Sequence, residues 1–418
     1  MVHLTRIAAA LALAYSAVAG AQQLSLEEAQ SIATAAAPQL FAQSAAVRAA
    51  RASLGPATEL PDPRLIAAIE NVPTDGADKY SLTADSMTMR KIGVMQDFPL
   101  PEKRRLRGER AEAEARREEA VLAVTEANLR RETALAWIDA WSAEQQLALA
   151  LEAQRDAGLG VTGAEAALAG GRGPAADSFA ARLAAAQAAD RVIEAKRVAT
   201  RTREQLARWV GRDARRDLDE PPDFTRLSHA HDDLLGDLES HPHLAMYAPM
   251  QAVADADVKL AEAAKRPDWS LEVTYAQRGS AYSNMLSIGV RMDLPIFEGR
   301  RQAPAIESRL AAAEQVRSQA EDARRAHLTE VRVLIADWEG ARERTRRIEA
   351  QQVPLAKERL NAVLAAYAGG RSELATVVEA RRADVETRTA LLQARTEAGR
   401  AWAQLDSLLP HEATKEKK

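Results

Sequence analysis

The chain has 418 residues, with 56 basic and 60 acidic side chains, a formal net charge of −4 and only 4% aromatics. A balanced surface with no dominant basic stripe excludes a dedicated nucleic-acid binder. The absence of Cys excludes disulfides, thiolate metal sites and an N-terminal lipid on Cys.

The first segment reads as an export signal. Arg6 provides a basic start, Ile7 to Val18 an apolar run, and Ala19-Gly20-Ala21 a small-residue cleavage site. The apolar run is too short to span a bilayer as a helix. Residues 1–21 are therefore assigned as a signal peptide, and the mature chain is expected to leave the cytoplasm.

A helix is expected over Leu26–Leu54. Two strand-like runs follow, around Leu65–Ile69 and Ile92–Phe98, separated by a polar loop. "DFPLPEKRR" at Asp97 then opens a long helix that ends at Gly170-Gly171, and a return helix runs from Pro174 to Val210. Pro, Asp and Gly in 211–233 mark a linker rather than a core element. The same order then recurs: a helix over Leu234–Lys265, strands at "WSLEVTYAQ" and "MLSIGVRMDL", and the mark "DLPIFEGRR" at Asp293. A helix from Gln302 to Ala368, Gly369-Gly370, a return helix from Ser372 to Leu409 and a polar tail, 410–418, complete it.

Four landmarks recur in the same order, each displaced by about 200 residues. They are "APQL" and "HPHL", "PDPRL" and "PDWSL", "IGVMQDFPL" and "IGVRMDLPI", and "LAGGR" and "YAGGR". This is the signature of tandem duplication, with repeats over 22–210 and 234–409. The helix from Gln302 to Ala368 would measure roughly 100 Å at 1.5 Å per residue. The opening and return helices of a repeat, stacked end to end, would match it. Apolar positions are mostly Ala with Leu and Val at helical spacing, as in a bundle of closely packed coiled coils.

In the second hairpin Leu271, Val273 and Tyr275 alternate with Ser270, Glu272 and Thr274. Leu286, Ile288, Val290 and Met292 alternate with Ser287, Gly289 and Arg291. Runs of about ten residues with one hydrocarbon face fit tilted strands crossing an outer membrane. Trp269, Tyr275 and Tyr282 would suit the interfacial girdles. Four strands cannot close a barrel, and open edges cannot face lipid, so the strands must be completed by copies of the chain.

With these features the sequence resembles the TolC-like outer-membrane efflux channels, and within them the heavy-metal branch that partners resistance-nodulation-division pumps. The duplication, "DLPIFEGRR" and "YAGGRSELATVVEARRADVETRTALLQARTEAGRAWAQL" carry the resemblance. It implies a mainly α chain with a small membrane β part. The assembly would be a homotrimer whose twelve-stranded β-barrel continues into a twelve-helix periplasmic α-barrel. Residues 211–233 and the tail would form a belt around it. The implied function is a passive exit duct of a tripartite efflux system, in the Gram-negative outer membrane and reaching into the periplasm. It would work with a periplasmic adaptor and an inner-membrane pump on divalent metal cations. The alternatives are a periplasmic adaptor or coiled-coil interaction protein, and a channel of the same family for organic compounds.

The resemblance places the periplasmic gate at Tyr367, Asp177, Glu379, Thr376 and Arg371. Thr376 stands where the family has a carboxylate, and the family's Arg position falls on Ser372 beside Arg371. A ring of three Glu379 side chains would favour cations. Gly170, Gly171, Gly369 and Gly370 are expected at tight helix reversals, with adaptor docking at the tips around Ala166–Ala176 and Leu364–Leu374. Pro99 and Pro295 mark the joint between barrel and helices. Lys103, Arg104, Arg105, Arg300 and Arg301 are expected to face lipid phosphates there. His229, His231, His241 and His243 with Asp232 and Asp233 are candidate divalent-metal ligands. They flank a linker, and a conduit must release its cargo, so no metal site or cofactor is expected. No nucleophile elbow, phosphate loop or His-Glu-x-x-His is present, and the chain reads as no enzyme.

Overall fold

The computed structural model describes residues 23–171, 173–227, 231–236 and 238–408. The signal peptide, the polar tail and His229 lie outside these residues, as do the side chains of His231, Asp232 and Asp233. The helices, in chain order, are α1 Leu26–Ala36, α2 Pro38–Ala52, α3 Leu54–Thr58, α4 Pro101–Ala169 and α5 Ala175–Val210. They continue with α6 His231–Gly236, α7 Pro242–Ala245, α8 Tyr247–Ala263, α9 Gln302–Arg347, α10 Val353–Ala368 and α11 Leu374–Asp406. The strands are β1 Arg64–Glu70, β2 Met89–Phe98, β3 Trp269–Gln277 and β4 Met285–Met292.

Proline accounts for where the expected helices divide. The opening helix of the first half stops at Ala37, because the residue before Pro38 is pushed out of the helical region; its ψ is 116°. The opening helix of the second half breaks into α6, a 3₁₀ turn at Leu238–Ser240, α7 and α8, with Pro242 starting α7. The helix expected over 302–368 carries a π-helical turn at Ile348–Gln352, in which the Val353 N–H bonds to the Ile348 carbonyl. Pro354 follows immediately; it has no N–H for the regular ladder, and the wider turn accommodates that loss. By contrast α4 runs 69 residues uninterrupted from Pro101 at its first position.

The described chain forms two compact units, each drawing on both halves of the sequence. One contains the segments up to Leu40, 125–242 and from Ala326 onward. Its core is Leu24, Trp137, Ile138, Leu206 and Val210 with Ala29, Ala134, Ala140, Ala398 and Ala403, all buried. Alanines let the helix axes approach, and the few large side chains supply most of the buried apolar area. The N-terminal segment is fixed by backbone bonds from Leu24 N–H to Asp217 O (2.8 Å) and from Asp219 N–H to Leu24 O (3.2 Å). Trp137, fully buried, adds an indole bond to Leu24 O at 2.9 Å. Ser25 caps α1 by accepting from Glu28 N–H.

The segment read as a linker is instead part of this core. Ala214 and Phe224 are buried, and two further indoles hold its backbone. Trp338 Nε1 donates to Phe224 O and Trp402 Nε1 to Arg226 O, both at 2.8 Å. Pro and Gly signalled irregular backbone correctly, but irregular backbone can still carry an apolar anchor.

The other unit, Phe41–Val124 with His243–Arg325, contains the sheet. Its strands are ordered β1-β2-β3-β4, all antiparallel, so the two hairpins lie side by side through β2 and β3.

Candidate functional site

The register arranges the sheet side chains in rows. Leu65, Val94, Val273 and Ile288 are paired across all four strands, as are Ala67, Ile92, Tyr275 and Leu286. These rows are solvent-facing hydrocarbon: Ile288 is 69% and Leu286 68% exposed. The intervening rows carry Thr274 and Ser287, and Arg291 paired with Glu272 at 2.5 Å and Arg64 with Asp97 at 3.0 Å. Gly93 sits opposite Thr274 so closely that a Cβ there would lie 2.4 Å from the Thr274 methyl. Gln96 interrupts the apolar face, as expected, and instead donates to Pro61 O at 2.7 Å. Trp269 stacks on Phe98 with centroids 4.4 Å apart. A water-facing sheet would waste this much apolar area; an exposed contiguous patch of this kind marks a membrane or protein contact. Among the described residues no helix is long and apolar enough to cross a membrane.

At the joint between strands and helices, Pro99 follows β2 directly, and Pro295 lies in the turns before α9. Arg300 and Arg301 are exposed, both with backbone N–H to Phe297 O at 3.0 Å. Arg105 pairs with Glu109, and Arg104 is half-buried. Lys103 corrects the expectation of a lipid-facing cation. It is 9% exposed, bonds Arg266 O at 2.6 Å and pairs with Asp268 at 3.0 Å. Asp268 also accepts the Leu100 N–H at 3.0 Å, so one carboxylate ties the start of α4 to the start of β3. A buried ammonium needs such a partner, and the helix N-terminus would otherwise disfavour it.

The two helix reversals have matching geometry. Gly170 N–H bonds to Ala166 O and Gly171 N–H to Leu168 O, both at 3.0 Å; Gly369 N–H bonds to Ala365 O (3.1 Å) and Gly370 N–H to Tyr367 O (3.0 Å). Gly171 and Gly370 each have φ of +69°, the left-handed cap that glycine adopts without strain. At the second tip Arg371 N–H also reaches Ala366 O at 2.8 Å, completing a Schellman motif.

Of the gate candidates, Tyr367, Asp177 and Thr376 are half-buried and Arg371 is exposed. Asp177 and Thr376 each hold a helix-entry turn through their N–H, to Pro174 O and Glu373 O respectively. Glu379 is exposed on α11 and pairs with Arg359 of α10 at 2.9 Å. Tyr367 lines a cleft of 270 Å³ with Leu364, Leu159, Gly163 and Val377. The helices α4 and α11 run antiparallel along a line of polar contacts: Asp139 with Arg400 (2.7 Å), Ser142 with Thr396 (2.7 Å), Glu152 with Arg388 (2.8 Å) and Asp156 with Arg381 (3.2 Å). Arg388 also pairs with Asp384, which is 8% exposed. Burial lowers the pKa of Arg388, but the Glu152 hydrogen bond and the two carboxylate charges outweigh it and raise the pKa overall.

Of the histidine candidates, His241 is buried and its Nδ1 lies 2.8 Å from His327 Nε2. His327 Nδ1 in turn faces Glu330 at 3.3 Å. Nothing local marks His327 as a partner, because it lies 86 residues away on α9. Among the described residues no three His, Asp or Glu side chains converge as a metal site.

The fold is shared with solved membrane proteins. It superposes on a membrane protein from Pseudomonas aeruginosa at TM-score 0.78, with 16% identity over 92% of this chain and 90% of that one. It superposes on the outer membrane protein VceC from Vibrio cholerae at 0.76, with 20% identity over 92% and 95%. The open-state outer membrane channel MtrE of Neisseria gonorrhoeae gives 0.70, with 17% identity over 92% and 88%. The fold is thus that of these proteins, mainly helical with one small antiparallel sheet. In sequence, residues 237–411 match the outer membrane efflux protein family, a span of less than half the chain. No curated protein matches it.

Proposed function

We propose that the chain is the outer-membrane channel of a tripartite efflux system, a passive conduit rather than an enzyme. The observation that carries this reading is the four-stranded sheet. One face is exposed hydrocarbon across all four strands, the opposite face bears Thr274, Ser287 and ion pairs, and among the described residues β1 and β4 each have one strand neighbour. Lipid on one side and water on the other satisfies both faces, and closure with copies satisfies both edges. Three chains give a twelve-stranded barrel. The family match over 237–411 and the shared fold support the same assignment.

In this reading α4, α5, α9, α10 and α11 line the periplasmic duct, and the duplicated order of elements gives each chain two hairpins in the barrel. The tips at Gly170-Gly171 and Gly369-Gly370 meet a periplasmic adaptor coupled to an inner-membrane resistance-nodulation-division pump. Tyr367, Asp177, Thr376, Arg371 and Glu379 surround the entrance, where carboxylates concentrate cations. Divalent metal cations are the proposed cargo, resting on the resemblance to the heavy-metal branch. Membrane fractionation and gene deletion test these points. The protein should be extracted only by detergent, and its loss should lower tolerance to zinc, cobalt, cadmium or copper. A soluble periplasmic protein contradicts the channel; lost tolerance to organic compounds alone contradicts the cargo.

A further inference from the structure

The loops that close the two β-hairpins are unequal: 71–88 joins β1 to β2, and 278–284 joins β3 to β4. The short one is tightly closed. Asn284 Oδ1 accepts the Arg278 N–H at 3.2 Å, Tyr282 N–H bonds to Gly279 O at 2.9 Å, and the Arg278 guanidinium lies over the Tyr282 ring. The long one does not stand away from the sheet. Arg90 faces Gln277 across β2 and β3, so an extended continuation would bring Thr83 opposite Asn284. Thr83 instead meets Gly279: a Cβ on that glycine would lie 1.9 Å from Thr83 O. The segment has folded back past five residues of its neighbour, about 17 Å at roughly 3.4 Å per residue. The Arg278 side chain ties it there, with Nε donating to Ser86 O at 2.8 Å. Arg278 continues the alternation of Glu272, Thr274 and Ala276, so the tie lies on the polar face. On that face Ala276 is 1% and Thr274 3% exposed, whereas β4 is exposed along its whole length. The long loop also braces itself. Tyr80 N–H bonds to Pro73 O at 2.8 Å, Ser81 Oγ accepts the Ala84 N–H at 2.9 Å, and Asp85 Oδ1 accepts the Met87 N–H at 2.6 Å.

We infer that residues 71–88 form a strap folded over the polar face of the sheet at its loop end, pinned by Arg278 and seated on Gly279. Arg278 supplies the donors, and Gly279 leaves the room that the Thr83 carbonyl occupies. In a barrel closed from copies the polar face is the lumen, so every copy lays one strap across the same mouth. The straps, and not the strand number alone, then set the bore at the exit, and bore is one of the levers that decide what passes. Arg278 and Gly279 thereby become size-determining residues for the cargo. The role at a pore mouth rests on the channel reading; the fold-back of the strap does not.

The chain has no Cys, so nitroxides can be placed on cysteines introduced at Lys79 and Ser280 of the full-length protein, diluted with unlabelled chains. In detergent, Arg278→Ala with Gly279→Val should shift the distance distribution of this pair to longer values and broaden it. In planar bilayers the same double variant should show larger single-channel current steps than wild type. It should also admit larger poly(ethylene glycol) molecules from the loop side. A second variant, with 74–85 replaced by a Gly-Ser pair, removes the strap outright and should raise the current at least as much. An unchanged distance in the double variant overturns the pinning. Unchanged current and polymer cut-off in the strap-deleted protein overturn the role at the mouth. A wild type without current removes the channel reading, whereas the distances still decide the fold-back.

Discussion

The Trp338 indole donates to the carbonyl of Phe224, and the Phe224 ring rests where a Cβ on residue 399 would be: the nearest ring carbon lies 2.7 Å from that position. Gly399 therefore serves a packing need inside a helix where glycine costs about 1 kcal/mol of propensity. Gly399→Ala is expected to displace the ring and destabilise the unit by about 1–3 kcal/mol, the usual range for overpacking. Phe224→Ala should cost about 3–5 kcal/mol, and adding Gly399→Ala to it should cost little more. Thermal unfolding followed at 222 nm checks all three; full additivity of the two substitutions would contradict the contact.

Glu28 and Arg216 fix the N-terminal helix to the 211–218 segment. Arg216 donates to Oε1 at 2.8 Å and to Oε2 at 2.9 Å. This hydrogen bond is the main cause holding the Glu28 carboxyl below its ordinary value of 4.5, with burial opposing it. A depressed carboxylate stabilises fully above its unfolded pKa and loses that contribution as pH falls through the folded one. Docking of 23–36 should thus be intact above about pH 5 and weaken below 4.5. Hydrogen exchange of α1 across pH 3.5–6 should show this loss, and Glu28→Gln should show weak protection at every pH. Equal pH dependence in both proteins would remove the pair from the account.

Ile288 and Ser287 are neighbours in β4 on opposite faces. Ile288→Arg places a charge on the hydrocarbon face, at about 2–4 kcal/mol near a bilayer midplane. It should sharply reduce heat-modifiable trimer in the outer membrane. Ser287→Arg, on the polar face, should assemble normally. Equal assembly of the two variants would contradict a lipid-facing surface.

Glu379 and Arg359 compete for one role at the tip. With the Arg359 pair intact, part of the carboxylate charge is neutralised locally. Reversal potentials in an asymmetric salt gradient should show lower cation selectivity for Glu379→Gln and higher selectivity for Arg359→Gln. Unchanged potentials in both place Glu379 away from the ion path.

What was readable in the sequence follows from what acts locally. Strand alternation in "MLSIGVRM" placed Leu286, Ile288 and Val290 on one face, because the pleat has a period of two. The glycine pairs marked both reversals, because a left-handed cap selects glycine. Pro38, Pro242 and Pro354 also act locally, yet a helical pattern on both sides masked their breaks in a long expected helix. The contacts that remained hidden are long-range. Lys103 finds Asp268 across 165 residues of chain, His241 finds His327, and Phe224 finds Gly399. No periodicity reports such pairs. At the tip, the Gly reversals were legible, whereas Arg381 and Arg388 look like ordinary helix-surface charges until α4 is beside them.

As the proposed outer-membrane conduit, the chain should pass ions. Purified protein added to a planar lipid bilayer measures it directly. Discrete, long-lived current steps in simple salt, with cation preference, are expected. A detergent-extracted, heat-modifiable protein that yields no steps at any voltage, or a protein recovered from the periplasm without detergent, would contradict it.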